Sequence, residues 1–285
     1  MVLTWPVMAA VLFGALLHAS WNALIKGGTD KALDTALIHG LGMVVALPVV
    51  AVVGLPAREA WPFLAASIVV HLGYYIALVG AYRHGDLGLT YPVMRGLAPL
   101  LVACTSAVLI GEVLPLAAWL GVLAVSVGVI GVGLSRSALG GHPGKALRYA
   151  LANAAIIALY TLIDGLGVRA SGHALSYVAT LFLFEGLPYL LLVMWRRGAQ
   201  RPEAWRYMGR RWKLALAGTA ASFGSYAIAL WAMTQAPVAT VAALRETSVL
   251  FAAALGTLWL KEGFGPLRAA GTLVVVAGVM ALRLA

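Results

Sequence analysis

Two adjacent charged side chains interrupt an otherwise uncharged, apolar stretch of the sequence. Arg245 and Glu246 are the only charged residues between Val238 and Leu260. Inserting a charge at the centre of a membrane helix costs roughly 2.5–3.5 kcal/mol, so both are expected to face protein or a wet cavity and not lipid. There, the arginine can bind a substrate carboxylate, and the glutamate can bind an amino group or a coupling proton.

A stripe of polar and aromatic residues forms a second candidate site. At 100° per residue, His71, Tyr75 and Tyr82 fall within about 40° of one another on one helix face. Trp21 and Asn22 share a face of the first helix and can complete the wall of a cavity. Tyrosine suits such a wall because its ring offers apolar area while its hydroxyl stays hydrated. The alternative is that the stripe packs against other helices or anchors the membrane interface.

Two further acidic residues lie in apolar stretches. Glu185 is in the middle of one of them, beside Gly186 and Pro188. Its carboxyl group either hydrogen-bonds to backbone that Pro188 loosens or carries a coupling proton. Asp164 lies near the end of its stretch and is predicted to reach the membrane interface.

Membrane-spanning helices must position these residues. The chain is 62% hydrophobic and 11% charged, with a mean hydropathy of +0.93, values far from those of a water-soluble domain. Its apolar blocks hold about 20 residues each, enough for a helix to cross a hydrocarbon core of roughly 30 Å. We therefore predict an all-α integral membrane protein with ten transmembrane helices. The predicted spans are 4–26, 33–54, 62–83, 89–110, 115–134, 147–168, 174–195, 213–234, 238–260 and 264–283.

Several classes of function are disfavoured by what the sequence contains. The single cysteine, Cys104, allows neither an internal disulfide nor a cysteine-built metal site. The segment GGHPGKA at 140–146 lacks the spacing and the Ser or Thr of a nucleotide-binding loop. We predict no cofactor, no metal and no enzymatic activity. The net charge of +10 comes from basic residues in loops, so nucleic acid is not a predicted partner, whereas membrane lipids are.

The distribution of basic residues predicts an orientation. Most lysines and arginines follow predicted helices 1, 3, 5, 7 and 9, with Arg268 counted on that side. The opposite side carries only Arg58, Arg169 and Arg283. The positive-inside rule places the richer side in the cytoplasm and both termini outside it.

The two halves of the sequence resemble each other. At a constant offset of 150 residues, charged residues and glycines coincide in the two copies, and one gap earlier Tyr75 falls on Tyr226. The coinciding pairs are Arg95 with Arg245, Glu112 with Glu262, Gly121 with Gly271, and Gly128 with Gly278.

This duplication predicts the domain organisation. The first five-helix repeat covers 1–134, a linker covers 135–146, and the second repeat covers 147–285. Because five crossings are an odd number, the second copy enters the membrane from the opposite side, giving inverted-topology repeats. Secondary transporters commonly have this architecture, with the substrate near the midplane between the copies.

The chain resembles the drug/metabolite transporter superfamily, EamA type, over nearly its full length. The resemblance rests on the two five-helix halves, on HASWNALIK in the first helix, on Gly111 and Glu112 after the fourth, and on LKEGFGP at the matching place in the second half. In size, and in the lack of extra domains, it is most similar to YddG-type aromatic amino-acid exporters. The resemblance also implies cytoplasmic termini, in disagreement with the loop charges, and our prediction follows the charges.

The repeat predicts a secondary transporter, and the resemblance implies that it exports neutral or aromatic amino acids across a bacterial plasma membrane. The expected oligomeric state is a monomer. The alternatives are an exchanger of phosphate-bearing metabolites or nucleotide sugars, with the two arginines as a clamp, and a scaffold or passive channel. At the arginines the alternative is structural: each caps carbonyls or a carboxylate between the halves. The predicted substrate-binding residues are Trp21, Asn22, His71, Tyr75, Tyr82, Tyr91, Arg95, Ser222, Tyr226, Arg245, Glu246 and Ser248, with Glu185 as the coupling candidate.

Overall fold

The protein is described by a computed structural model that covers residues 3–84, 87–134, 143–260 and 265–285. These residues form eleven α-helices and two short 3-10 helices, Arg58–Ala60 and Gly198–Gln200. The helices are α1 (Trp5–Lys26), α2 (Lys31–Val53), α3 (Trp61–His84), α4 (Leu87–Leu109), α5 (Leu116–Leu134), α6 (Pro143–Ala170), α7 (Ala174–Arg197), α8 (Arg201–Met233), α9 (Val238–Arg245), α10 (Ser248–Leu260) and α11 (Pro266–Leu284).

The described residues contain nine segments long and apolar enough to cross a membrane. One of them, Ala174–Met233, is 60 residues long and contains both α7 and α8. The membrane character and the helical class predicted from the sequence are therefore confirmed. Large apolar side chains on the outer surface, such as Val52 and Val108, are more than 80% exposed and suit a lipid environment.

Two predicted spans differ most from the helices of the structure. The predicted span 238–260 is not one helix, because it is interrupted after Arg245 and resumes at Ser248. The predicted span 213–234 begins twelve residues too late, since α8 already starts at Arg201. The basic segment before the apolar core of α8 continues the helix because long cationic side chains can keep their charges in water.

Helices of the two halves pack against each other in matched pairs. α1 packs on α8 and α3 on α6, while α2 contacts α7 and α5 contacts α11. The glycines that coincide in the sequence repeat meet at the last of these contacts. A Cβ atom on Gly121 would lie 3.0 Å from the carbonyl oxygen of Gly278, and one on Gly128 would lie 2.8 Å from that of Gly271. Small residues at these positions let the two backbones approach closely.

Close packing of α2 and α7 brings a second pair of residues together. A Cβ atom on Gly186 would lie 2.1 Å from the carbonyl oxygen of His39, so only glycine fits this crossing. The neighbouring residue, Glu185, is thereby held beside the imidazole of His39.

One basic residue assigned to a loop from the sequence is in fact buried. Arg268 lies in the first turn of α11, is 3% exposed, and donates to the carbonyl oxygen of Ala253 at 3.2 Å. Its place in the count of loop charges was therefore wrong. The long side chain allows the guanidinium to reach the carbonyl of the neighbouring α10 instead of solvent.

Candidate functional site

The break between α9 and α10 sets the positions of Arg245 and Glu246. The backbone amides of Glu246 and Thr247 each bond at 3.1 Å to the carbonyl three residues earlier, and the Thr247 hydroxyl donates to the same carbonyl as its own amide. The chain therefore leaves regular α-helical bonding at this point. Arg245 sits at the carbonyl end of α9 and Glu246 just before the amide end of α10, so each helix dipole favours the charge beside it.

Arg95 of α4 is already paired. Its guanidinium donates to Glu246 Oε1 at 3.3 Å and also to the imidazole of His18. The guanidinium carbon lies 5.8 Å from the centre of the Tyr91 ring. Arg95 and Glu246 thus form a buried ion pair between the two halves. For Arg95 this is the structural alternative from the sequence analysis, in which the arginine binds a carboxylate between the halves.

Arg245 has a different environment from Arg95. Its guanidinium carbon lies 5.2 Å from the centre of the Tyr226 ring, a cation–π contact. Within the described part of the chain, Arg245 makes no ion pair and no side-chain hydrogen bond. It lines a void of about 10 Å³ together with Arg95, Tyr160 and Glu246. Its five N–H donors therefore remain available for a carboxylate.

Several buried polar atoms near the break lack hydrogen-bond partners among the described residues. They are Glu246 Oε2, Ser248 Oγ and Trp21 Nε1. Trp21 belongs to the same cluster, because its ring contacts that of His18, the imidazole that bonds to Arg95. Leaving a buried polar atom unpaired costs about 1–3 kcal/mol, so such a group favours binding of a polar ligand or water.

The face of α3 that was expected to form one stripe divides between two environments. His71 stacks on Tyr160 with ring centres 4.3 Å apart and meets Tyr226 edge-on at 6.3 Å. Tyr75 turns instead towards α2 and α7, where its ring lies 4.5 Å from that of Tyr189. The side chain of Tyr82 lies outside the described residues.

Tyr75 connects a histidine to the buried Glu185. Its hydroxyl donates to Glu185 Oε1 at 2.5 Å and lies 3.1 Å from Nδ1 of His39. The other ring nitrogen of His39, Nε2, lies 3.3 Å from the same hydroxyl, so the imidazole ring is held against Tyr75. Glu185 thus accepts its hydrogen bond from the side chain of Tyr75. One of the two interpretations of the sequence had placed that bond on the backbone near Pro188.

Asp164 was not identified as a site residue from the sequence. It is fully buried in α6 and accepts a hydrogen bond from Tyr177 at 2.9 Å and another from Tyr226. The expectation that it reaches the membrane interface is wrong, because these two tyrosines of α7 and α8 satisfy the carboxylate inside the bundle. The signal for this contact was Tyr226, whose hydroxyl needs a partner when buried.

The remaining predicted site residues are less directly engaged. The Asn22 amide donates to the carbonyl of His18, one turn earlier in its own helix, at 2.8 Å. Ser222 is buried on α8, four residues before Tyr226. Among the described residues, no group of three or more histidine, cysteine, aspartate or glutamate side chains could hold a metal ion.

Ion pairs between the halves lie at the end of the bundle that carries the α7–α8 connection. Arg211 donates to Asp34 at 2.7 Å and Arg197 to Asp30 at 2.5 Å. The Tyr207 hydroxyl adds a bond to Asp34 at 3.0 Å. The α1–α2 connection is therefore tied to the basic ends of α7 and α8.

A second group of contacts lies at the opposite end. Arg169 of α6 donates to Glu112 at 2.7 Å and to the carbonyl oxygen of Met233 at 2.9 Å. Glu112 also accepts from the first backbone amide of α9, that of Val238, at 3.0 Å. A cavity of about 810 Å³ near Arg169 lies between α6, α7 and α8 and does not include Arg245. The candidate site is thus defined by its polar groups and not by cavity size.

Comparison with known proteins assigns a family to the second half of the chain. Residues 144–284 match the model of the EamA-like transporter family, so the second half of the chain is an EamA-like transporter domain of the drug/metabolite transporter superfamily. No curated protein matches the chain. A solved structure described only as a crystal structure of a protein is similar with a TM-score of 0.74 and 19% identity, over 98% of this chain and 95% of that one. That likeness concerns the fold alone.

Proposed function

We propose that the protein is a secondary transporter that exports neutral or aromatic amino acids by alternating access around the α9–α10 break. The observation that carries this proposal is the pairing state of the two central arginines. Arg95 forms an ion pair with Glu246, whereas Arg245, which lines the same void as that glutamate, makes no ion pair with any described residue. A membrane protein tolerates such a charge where a ligand supplies the missing anion.

The chemistry around Arg245 fits a zwitterion. A substrate carboxylate would bind the free guanidinium, and a substrate ammonium group would bind the unpaired Oε2 of Glu246. Ser248 and the indole N–H of Trp21 offer further hydrogen bonds. Tyr160 and Tyr226 add ring surface for an apolar or aromatic side chain.

Alternating access is supported by the relation between the halves. The four main contacts between the halves are preserved when the halves are exchanged, since α1 on α8 corresponds to α3 on α6, while α2–α7 and α5–α11 correspond to themselves. If α9 and α10 together count as one membrane crossing, the helices form two sets of five, α1–α5 and α6–α11. An inverted repeat of this kind, with a broken helix at the substrate site, permits one half to rock against the other.

The alternatives fit the contacts less well. A clamp for a phosphate dianion needs both arginines, yet Arg95 is held by Glu246. A passive channel needs a continuous path, whereas ion pairs of Asp34 and Glu112 join the halves at opposite ends.

Glu185 is the candidate for energy coupling. It lies at the α2–α7 crossing between the halves and is linked through Tyr75 to His39, so a proton could pass between these groups as the halves move. In this proposal Tyr75 serves the coupling site, while His71 and Tyr226 line the substrate site.

Ligand-induced thermal stabilisation of the purified protein tests the proposed substrate class. Phenylalanine should raise the melting temperature, because binding to the folded state adds to its stability. Phenylethylamine, which lacks the carboxylate, and phenylpropionate, which lacks the ammonium group, should raise it much less. Equal stabilisation by all three compounds, or stabilisation by a sugar phosphate alone, would exclude a zwitterion site.

A further inference from the structure

Asp164 is a buried carboxylate to which the proposed function gives no role. It is fully buried in α6, whereas Arg245 lies in α9, so the two residues are far apart in the sequence. Its two oxygens accept separate hydrogen bonds, one from Tyr177 of α7 and the other from Tyr226 of α8.

Tyr226 connects this carboxylate to the candidate substrate site. While its hydroxyl donates to Asp164, the face of its ring lies 5.2 Å from the guanidinium carbon of Arg245. A phenol that donates to a carboxylate has a fixed ring plane and a more electron-rich ring. Both effects strengthen its attraction for a cation over the ring.

The repeat-related tyrosine shows that this arrangement is specific to the second half. Tyr75, which coincides with Tyr226 in the sequence repeat, also donates to a buried carboxylate, that of Glu185. Its ring, however, packs on Tyr189 and His39. The arginine of the first half, Arg95, lies over Tyr91 instead.

We propose that Asp164 is a positioning residue for the substrate carboxylate. Acting through Tyr226, it holds the Arg245 guanidinium over the tyrosine ring with its N–H groups turned to the void. This inference rests on the proposed role of Arg245 as the carboxylate ligand.

A double-mutant cycle measured by uptake of labelled phenylalanine into proteoliposomes tests this role. Asp164→Asn and Tyr226→Phe should each raise the half-saturating concentration by roughly 3- to 10-fold, the range expected for a weakened buried cation–π contact, with the maximal rate nearly unchanged. The double variant should be no worse than the worse single variant, because both changes interrupt the same connection. Tyr177→Phe is the matched control, since it removes another donor to the same carboxylate and should leave the half-saturating concentration unchanged.

The possible outcomes separate the two proposals. Additive effects of the two substitutions, or an equal effect of Tyr177→Phe, would show that Asp164 acts on packing in general and would overturn the positioning role. If Asp164→Asn does not fold, a cycle of Tyr226→Phe with Arg245→Lys replaces it, and additivity there has the same meaning. Wild-type uptake that saturates while Asp164→Asn is unaffected contradicts only this inference. Absence of wild-type uptake contradicts the proposed function and this inference together.

Discussion

At the scale of single residues, the two arginines that the sequence repeat makes equivalent have different electrostatic environments. Arg95 donates to both Glu246 and His18, whereas the described contact of Arg245 is with the Tyr226 ring. The asymmetry arises because Glu246 follows Arg245 at the helix break, while the corresponding residue after Arg95 is Gly96. One half therefore supplies the cation that pairs with Glu246, and the other half supplies a cation that lies over a tyrosine ring.

Substitution of Arg245 should impair substrate binding selectively. Arg245→Ala is expected to raise the half-saturating phenylalanine concentration by about tenfold or more, since a hydrogen bond to a charged group contributes roughly 1.5–3 kcal/mol. Arg245→Lys should recover only part of this, because an ammonium group cannot bind a carboxylate in the bidentate way. The control is Arg210→Ala, which removes an exposed arginine of α8. Uptake curves that coincide for the Arg245→Ala and Arg210→Ala variants would rule out Arg245 as the carboxylate ligand.

Substitution of Glu185 should separate transport from its driving force. Glu185→Gln keeps an acceptor for the Tyr75 hydroxyl but removes the titratable group. We expect exchange of labelled for unlabelled phenylalanine to continue at near the wild-type rate, while accumulation driven by a pH gradient is lost. Glu203→Gln, at an exposed carboxylate in the first turn of α8, is the control. Retained pH-driven accumulation in Glu185→Gln would eliminate this residue as the coupling site.

At the scale of helices, the sequence showed the repeated glycines but neither the contact that they make nor the interruption between α9 and α10. The glycine pairs of α5 and α11 were visible as coinciding positions, and they meet in the structure. The α9–α10 break was not visible, because the interval between Val238 and Leu255 contains neither proline nor glycine. At the break, backbone amides donate to the carbonyl three residues earlier, and the Thr247 hydroxyl donates to the carbonyl of Leu244. Likewise, the position of Asp164 near the end of its apolar stretch suggested the membrane interface, whereas the tyrosines that donate to it, Tyr177 and Tyr226, come from other helices.

The α5–α11 contact should be sensitive to a single added methyl group. A Cβ atom on Gly271 would lie 2.8 Å from the backbone nitrogen of Val132 and 2.9 Å from the carbonyl oxygen of Gly128, and backbone atoms cannot move aside cheaply. Gly271→Ala is expected to destabilise the protein by about 1–3 kcal/mol, seen as a lower thermal unfolding temperature in detergent. Gly209→Ala is the matched control, since a Cβ there meets no atom within 4 Å, and it should not lower that temperature. Equal unfolding temperatures for the two variants would mean that α5 and α11 are not in close contact.

At the scale of the whole molecule, the central site lies between two sets of contacts that join the halves. Asp30 and Asp34 bind arginines of α7 and α8 at one end, and Glu112 binds Arg169 and the start of α9 at the other. The membrane character and the EamA-like domain were predictable from composition and motifs, because they depend on many residues at once. Which arginine is paired was not predictable, because it depends on two side-chain contacts across the halves.

The orientation in the membrane remains a prediction from loop charge. With Cys104 replaced by serine, single cysteines introduced at Met1 or Ala285 should react with a membrane-impermeant reagent applied to intact cells from the periplasmic side. A cysteine at Arg206, in the basic segment of α8, should react only after lysis. The reverse pattern would place both termini in the cytoplasm.

The central claim is tested most directly by counterflow of labelled phenylalanine into proteoliposomes that contain the purified protein and unlabelled phenylalanine. The account predicts uptake that saturates, that exceeds uptake by protein-free liposomes, and that is inhibited by other neutral amino acids but not by phenylethylamine, phenylpropionate or sugar phosphates. The Arg245→Ala variant should require a much higher substrate concentration for the same rate. Uptake that rises linearly with concentration, or that is unchanged by Arg245→Ala, would contradict an amino-acid transporter built around this arginine.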